Sequence, residues 1–128
     1  PKSAEKYKRI WDDKTGSPLL SITQSQRDAL AEQLGPEFRV SFAMRYGQPS
    51  VESVVAGLIE QKSDRMIVLP MFPQYSATTT ASGLDALYQT LQTHRVVPAL
   101  RVIRDYHDDA DYLDAMTDRI KRYRDQSM

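Results

Sequence analysis

Apolar residues along the chain alternate between the spacing of an amphipathic helix and the spacing of a strand. Strand-like patterns occupy residues 38–44, 65–71 and 99–103, whereas helix-like patterns occupy residues 2–11, 21–34, 51–59, 80–92 and 109–124. Because helices separate the successive strands, parallel pairing with right-handed crossovers is favoured. We therefore predict an α/β fold with three strands in one parallel sheet.

Local signals indicate the ends and faces of these predicted elements. Gly35-Pro36 stops the helix at 21–34, and Ser50 is an N-cap candidate for the next helix. The run 66–69 lacks polar alternation, which predicts a strand covered on both faces. The predicted helix at 80–92 has an inward face of Leu84, Leu87, Tyr88 and Leu91. The predicted helix at 109–124 has an inward face of Leu113, Met116, Ile120 and Tyr123.

The composition limits the kinds of site that the chain can carry. Its 128 residues fit one domain, and an apolar content of 41% is enough for a core. Its 17 basic residues balance 17 acidic ones, so charge gives no reason to expect binding to nucleic acid or to an anionic membrane. No cysteine is present, which excludes disulfides and thiolate metal sites and fits a cytoplasmic protein. No apolar run approaches the roughly 20 residues that span a bilayer.

Polar and aromatic residues follow the carboxyl end of each predicted strand. These segments are 45–50 (RYGQPS), 72–80 (FPQYSATTT) and 104–107 (RDYH). In open parallel sheets, ligands bind beyond the carboxyl ends of the strands, and all three segments then share one edge. Arginine suits a carboxylate, tyrosine offers a flat face, and hydroxyls near helix starts favour an anion. A flat aromatic ligand with carboxylate arms would satisfy the whole set.

Each of these residues also has a purely structural interpretation. Arg45 can form a surface salt bridge, and Tyr46 and Tyr75 can pack at the edge of the sheet. The hydroxyls at 76–80 can simply cap a helix. Spacing alone therefore predicts an anion-friendly, aromatic cleft and does not name its ligand.

The two histidines do not predict a metal site. His94 lies near a predicted helix end, where a solvated residue or a partner of the helix dipole is expected. His107 has aspartates around it at positions 105, 108, 109 and 111, but their spacing matches no established metal motif. Asp108 or Asp109 is better placed to cap the last helix.

Four segments, in the same order along the chain, resemble the ferrochelatase family. Segment 43–50 (AMRYGQPS) resembles the family segment in which an Arg-Tyr pair precedes a Pro-Ser helix start. Segment 69–80 (LPMFPQYSATTT) resembles the family's Leu-Pro-Leu-Tyr-Pro-Gln-Tyr-Ser stretch and its Ser-Thr-Thr continuation. Tyr7 with 16–19 (GSPL) and Thr23 resembles the loop and helix before the first strand here, and 103–106 (IRDY) is similar to the segment after a later family strand.

This resemblance implies an enzyme that inserts ferrous iron into a porphyrin, protoporphyrin or coproporphyrin, in the last steps of haem synthesis. It also implies a chelatase-like three-layer αβα fold, with two similar domains and the macrocycle in the cleft between them. Iron and porphyrin are then substrates, and the expected location is the cytoplasm, with the full-length enzyme peripheral to the inner membrane. The resemblance assigns six residues to porphyrin binding, namely Tyr7, Ser17, Arg45, Tyr46, Tyr75 and Ser76.

The chain also departs from the family pattern. It lacks the opening strand with its Asn-Leu-Gly-Thr-Pro turn, the lip that touches the membrane, and the later Ser-x-His-Gly-x-Pro segment with the catalytic histidine. The second-domain carboxylate that pairs with that histidine is missing too. Phe72 replaces the more usual tyrosine, and Ala77 stands where some members have a cysteine that ligates an iron–sulfur cluster. We therefore expect residues 1–128 to be part of the first domain, without the second domain, a catalytic residue, a metal ligand or a cluster ligand.

The resemblance and the departures from it also predict partners and leave alternative functions open. The expected partners are a porphyrin and the remainder of a ferrochelatase chain, with membrane contact only through parts that are missing here. Sheet edges left open by missing strands also favour self-association. Two other functions stay open: a small cobalt chelatase that works as a homodimer, and a tetrapyrrole-binding module without turnover. The cobalt chelatase predicts metal-ligand histidines at strand ends, and this chain lacks a convincing set.

The missing catalytic segments predict that the chain alone does not metallate porphyrin. Metal insertion needs a base that accepts the two pyrrole protons, and neither histidine has a partner suited to that role. Incubation with porphyrin and ferrous or cobaltous ion, followed by absorbance, is expected to give only the uncatalysed rate. A protein-dependent rate with either metal would contradict the prediction.

Overall fold

A computed structural model of the chain describes residues 5–6, 8–12, 14 and 16–127. The chain divides into two compact units, Pro1–Pro49 and Ser50–Met128. In the first unit, residues 5, 6 and 8 are helical, and part of the helix predicted at 2–11 lies outside the described residues. None of the helices in the described part of the chain combines the length and apolarity needed to cross a membrane.

The first unit contains helix α1, Pro18–Leu34. Pro18 takes the first helical position, where its missing N–H costs no hydrogen bond, so the helix begins earlier than the predicted residue 21. Gly35 follows the helix with φ at 78°, a left-handed conformation that favours glycine, and its N–H donates to the Ala31 carbonyl. The predicted Gly-Pro stop is therefore confirmed.

The strand predicted at residues 38–44 does not form. This segment lies in the first unit and adopts no regular strand, although its apolar residues alternate as a strand requires. A strand is stabilised by hydrogen bonds to a neighbouring strand, and the described part of the first unit provides no other extended strand. Near the end of the segment, the Met44 N–H instead donates to the Pro49 carbonyl at 2.8 Å.

The second unit contains a small parallel sheet with helices between and after its strands. Its elements in chain order are helix α2 (Val51–Glu60), strand β1 (Arg65–Val68), a π-turn (Ala77–Ala81), helix α3 (Ser82–Gln92), strand β2 (Ala99–Val102) and helix α4 (Ala110–Ser127). Strands β1 and β2 pair in parallel, with Arg65 opposite Ala99 and Val68 opposite Val102. The α/β class and the parallel pairing are confirmed, whereas the described residues form two strands instead of three.

Predicted caps begin two of these helices. The Ser50 hydroxyl accepts a hydrogen bond from the Ser53 N–H at 3.1 Å, as an N-cap residue does. Asp109 Oδ1 accepts from the Tyr112 N–H at 3.1 Å, so this aspartate caps α4. Helix α3 instead continues directly from the π-turn, and the turn starts at Ala77, earlier than the predicted helix start at residue 80.

The core of the second unit lies between the helix pair α2 and α3 and the sheet. Its buried side chains come from three elements: Val55, Met66, Leu87 and Leu91. Leu58, Leu84 and Leu100 pack around them as partly buried neighbours. The inward positions predicted for α3 are confirmed for its leucines, which contact the core. Tyr88 is an exception, because it lies outside the face that contacts the core and is exposed.

Two burial predictions are wrong. Ile67 is exposed, so β1 is covered on one face and not on both, because the described helices that pack over the core lie on the Met66 side. The apolar face of α4 is exposed at all four predicted positions, Leu113, Met116, Ile120 and Tyr123. In the second unit, α4 packs against none of the other helices and strands that the structure describes, so its amphipathic pattern finds no surface there.

Truncation of a core leucine tests this division between buried and exposed helix faces. Leu87 is 4% exposed, and Leu87→Ala is expected to lower the free energy of unfolding by about 2–5 kcal/mol because it leaves a cavity. Leu113 is 48% exposed, so the matched control Leu113→Ala is expected to cost less than about 1 kcal/mol. Urea unfolding followed by circular dichroism measures both. Equal losses would mean that the α4 face is buried.

Candidate functional site

The loops that follow β1 and β2 are held together at the carboxyl edge of the sheet. The Ile103 N–H donates to the Val68 carbonyl at 3.0 Å, which extends the pairing by one step past β2. Farther along both loops, the Tyr106 N–H donates to the Pro73 carbonyl at 2.9 Å. Two backbone bonds therefore bring segments 69–76 and 103–109 side by side, as the rule for parallel sheets predicts.

Tyr75 is an exposed aromatic side chain at the point where these loops meet. Its ring lies beneath Arg104, whose Cζ atom is 4.6 Å from the ring centroid, within the range of a cation–π contact. Arg104 also forms an ion pair with Asp105, with Nη1 and Oδ2 2.7 Å apart. The sequence indicated Arg104 as part of a strand-end segment, but its contact with Tyr75 depends on the pairing of the two strands.

Ser76 begins the π-turn, and its polar atoms are engaged locally. Its carbonyl accepts from the Ala81 N–H at 3.1 Å, the five-residue step of a π-turn. Its hydroxyl lies 2.7 Å from the Thr79 hydroxyl and 3.2 Å from that of Thr78. The predicted run of hydroxyls is thus a connected cluster beside Tyr75, and Thr80 in the same turn is fully buried.

Tyr106 connects the second loop to the first turn of α4. Its ring meets the Tyr112 ring edge to face, with the centroids 5.5 Å apart and the planes at 88°. Burial, with a smaller contribution from nearby Tyr112, raises the pKa of the Tyr106 hydroxyl above its ordinary value. Tyr106 therefore stays neutral at physiological pH and helps to anchor the loop.

In the first unit, the structure brings Arg45 and Tyr46 into contact. The Cζ atom of Arg45 lies 4.8 Å from the Tyr46 ring centroid, and the tyrosine is largely exposed. Gly47 follows with φ at 90°, so the chain turns directly after this pair with a backbone that other residues rarely adopt. Ser17 occupies the N-cap position of α1, and its carbonyl accepts from the Ser21 N–H at 3.2 Å. Tyr7 lies outside the described residues.

In the part of the chain that the structure describes, acidic and histidine side chains form no evident metal centre. Within the described ranges, no group of three His, Asp or Glu residues is arranged to hold an ion. His107 is exposed, while its neighbour Asp105 pairs with Arg104 and Asp109 caps α4. The local acidic stretch is therefore used for an ion pair and a helix cap.

Comparison with known proteins identifies relatives of the whole chain. The family model for ferrochelatases matches residues 1–128. Ferrochelatases from Thioalkalivibrio sulfidiphilus and Idiomarina loihiensis are both 43% identical to it, over 98% and 97% of this chain and 35% of each relative. The ferrochelatase of Chromobacterium violaceum is 42% identical over 94% of this chain and 34% of the relative. The chain thus spans about a third of the length of these curated relatives. No solved structure gave a significant match.

The raised pKa of Tyr106 predicts how stability depends on pH. A folded-state pKa above the unfolded value of about 10 gives stability that is present at lower pH and is lost as pH rises through the folded pKa. Urea midpoints measured from about pH 8 to pH 11 should therefore fall less for Tyr106→Phe than for the parent chain. Parallel curves for the two proteins would contradict a raised pKa at this position.

Proposed function

The chain belongs to the ferrochelatase family, and from that premise we propose that it supplies porphyrin-binding residues to an enzyme that inserts ferrous iron into a porphyrin. The observation that carries the proposal is the aromatic and cationic loop pair at the carboxyl edge of the sheet, with Tyr75 beneath Arg104 and beside Ser76. Ligands of open parallel sheets bind at this edge. The porphyrin, protoporphyrin or coproporphyrin, and the iron are substrates.

Tyr75 and Ser76 suit one part of such a ligand. The Tyr75 side chain is 44% exposed, which leaves aromatic surface for contact with a flat macrocycle. The Ser76 hydroxyl belongs to a cluster with the Thr78 and Thr79 hydroxyls, which can reorient to donate to a carboxylate. We assign Tyr75 to contact with the ring and Ser76 to its polar periphery.

Arg45 and Tyr46 suit the carboxylate arms. Arginine presents a planar fork of donors that matches a carboxylate, and stacking on the Tyr46 ring orients that fork. Ser17, at the start of α1, offers a hydroxyl beside the helix N-terminus, where negative charge is favoured. Tyr7 completes the proposed set on the family resemblance alone.

We assign the catalytic step to parts of the enzyme other than these residues. Removal of two pyrrole protons needs a basic group positioned at the ring centre. His107 is exposed, and His94 lies between the end of α3 and the amino end of β2, not at the carboxyl edge of the sheet. A cobalt chelatase with metal-binding histidines at strand ends is therefore the weaker alternative, and the family match favours the ferrochelatase.

The remaining partners belong to the same proposal. The rest of a ferrochelatase chain would complete the cleft, and membrane contact would come from its lip at the inner membrane of a cytoplasmic enzyme. No resident cofactor is assigned, because the chain contains no cysteine for an iron–sulfur cluster and has alanine at position 77. Self-association through the open sheet edges also remains part of the proposal.

Porphyrin titration followed by absorbance tests the assigned residues. Arg45→Ala and Tyr75→Ala are each expected to raise the dissociation constant about tenfold, which corresponds to about 1.4 kcal/mol. Arg65→Ala, at the amino end of β1, and Tyr123→Ala, near the end of α4, are the matched controls and should bind as the parent does. If the two site variants bind as tightly as these controls, the proposed site is wrong.

A further inference from the structure

Arg104 lies against Tyr75 but belongs to a different loop, and it is not among the residues assigned to the porphyrin above. We infer that Arg104 is a positioning residue, which holds the Tyr75 ring in the orientation that a flat ligand needs. This inference rests on the proposed function, because Tyr75 is there assigned to contact with the macrocycle. It gives the loop after β2 a specific role at the site.

Three contacts fix Arg104 above the ring. The parallel register of β1 and β2 brings both loops to one edge, and the bond from the Tyr106 N–H to the Pro73 carbonyl holds them there. Asp105 then holds the guanidinium through the 2.7 Å ion pair. The guanidinium carbon ends 4.6 Å from the centre of the Tyr75 ring. An exposed tyrosine thus has one face covered by a restrained cation.

Restraint of this ring matters because binding to a mobile side chain carries an entropic cost. An exposed tyrosine without a neighbour samples several rotamers, and a ligand must select one of them. A cation–π contact at an exposed position is weak but sufficient to favour one rotamer. Loss of Arg104 should therefore weaken porphyrin binding about two- to fivefold, a smaller change than removal of Tyr75 itself.

A direct bond from Arg104 to a porphyrin carboxylate is the competing role. The arginine side chain is 68% exposed, so solvent and ligands reach it. However, one of its terminal nitrogens already pairs with Asp105, which offsets its charge, and its plane is used against Tyr75. These contacts favour positioning of the ring over capture of a carboxylate.

A double-mutant cycle separates the two roles. Titrations with protoporphyrin use the parent chain, Arg104→Gln, Tyr75→Ala and the double variant, with Arg101→Gln on β2 as the matched control. Positioning predicts a two- to fivefold loss for Arg104→Gln in the parent and no further loss when Tyr75 is already alanine. It also predicts the same loss with the dimethyl ester, since no carboxylate is involved. Arg101→Gln should bind as the parent does.

Nuclear magnetic resonance of the free chain detects the contact between Arg104 and Tyr75 in the absence of ligand. The side-chain protons of Arg104 should show an upfield ring-current shift that disappears in Tyr75→Ala and weakens in Asp105→Asn. Absence of that shift would overturn the inference, and so would an equal loss of porphyrin affinity from Arg104→Gln in the two backgrounds. The proposed function would still stand if the parent chain bound porphyrin. A parent chain that binds no porphyrin would overturn both together.

Discussion

Four residue pairs hold β1 against β2 in parallel register, and the geometry of the candidate site depends on that pairing. Parallel strands end at the same edge of a sheet, so the loops that follow them start as neighbours. The pairing is itself supported by the core, because Met66 of β1 packs with Val55 of α2 and with Leu87 and Leu91 of α3. Burial of these apolar side chains is the main favourable contribution to folding of the second unit.

The register extends beyond the strands into the loops of the candidate site. Backbone bonds continue at Ile103 and again at Tyr106, which places Arg104 between two fixed points. An arginine on one loop can therefore contact Tyr75 on the other with little freedom in the backbone. The same arrangement leaves the Tyr75 ring partly exposed and sets the Ser76 hydroxyl cluster beside it. The arrangement of Tyr75, Ser76 and Arg104 therefore depends on strand pairing.

Much of this organisation was predictable because it depends on local chemistry. The Ser50 and Asp109 caps, the stop at Gly35 and the parallel βαβ order all follow from side chains close to the feature concerned. The pattern at the strand ends also predicted that the segments after β1 and β2 meet at one edge, as the bond from the Tyr106 N–H to the Pro73 carbonyl confirms. The resemblance to ferrochelatases agrees with the family match over the whole chain.

Other features were not predictable because they depend on neighbours far along the chain. Alternation at 38–44 identifies a face that a sheet would bury, but the described part of the first unit offers no strand to pair with it. The amphipathic pattern of helix α4 likewise identifies a face that a neighbour would bury, but its apolar face is exposed. The stacking of Arg104 on Tyr75 joins residues from two loops, and it depends on the register of the strands and on the bond that holds the loops together.

The central claim, that porphyrin binds at the carboxyl edge of the sheet, is tested most directly by chemical-shift mapping. Titration of the ¹⁵N-labelled chain with protoporphyrin produces large ring-current shifts at amides near the macrocycle. Binding at this edge predicts the largest shifts at residues 72–79 and 103–106, and small ones at residues 119–127 and at the amino ends of β1 and β2. In the first unit, shifts at residues 45–47 test the separate assignment of Arg45 and Tyr46. Shifts concentrated on α4 or at those amino ends, with the strand-end loops unchanged, would contradict it.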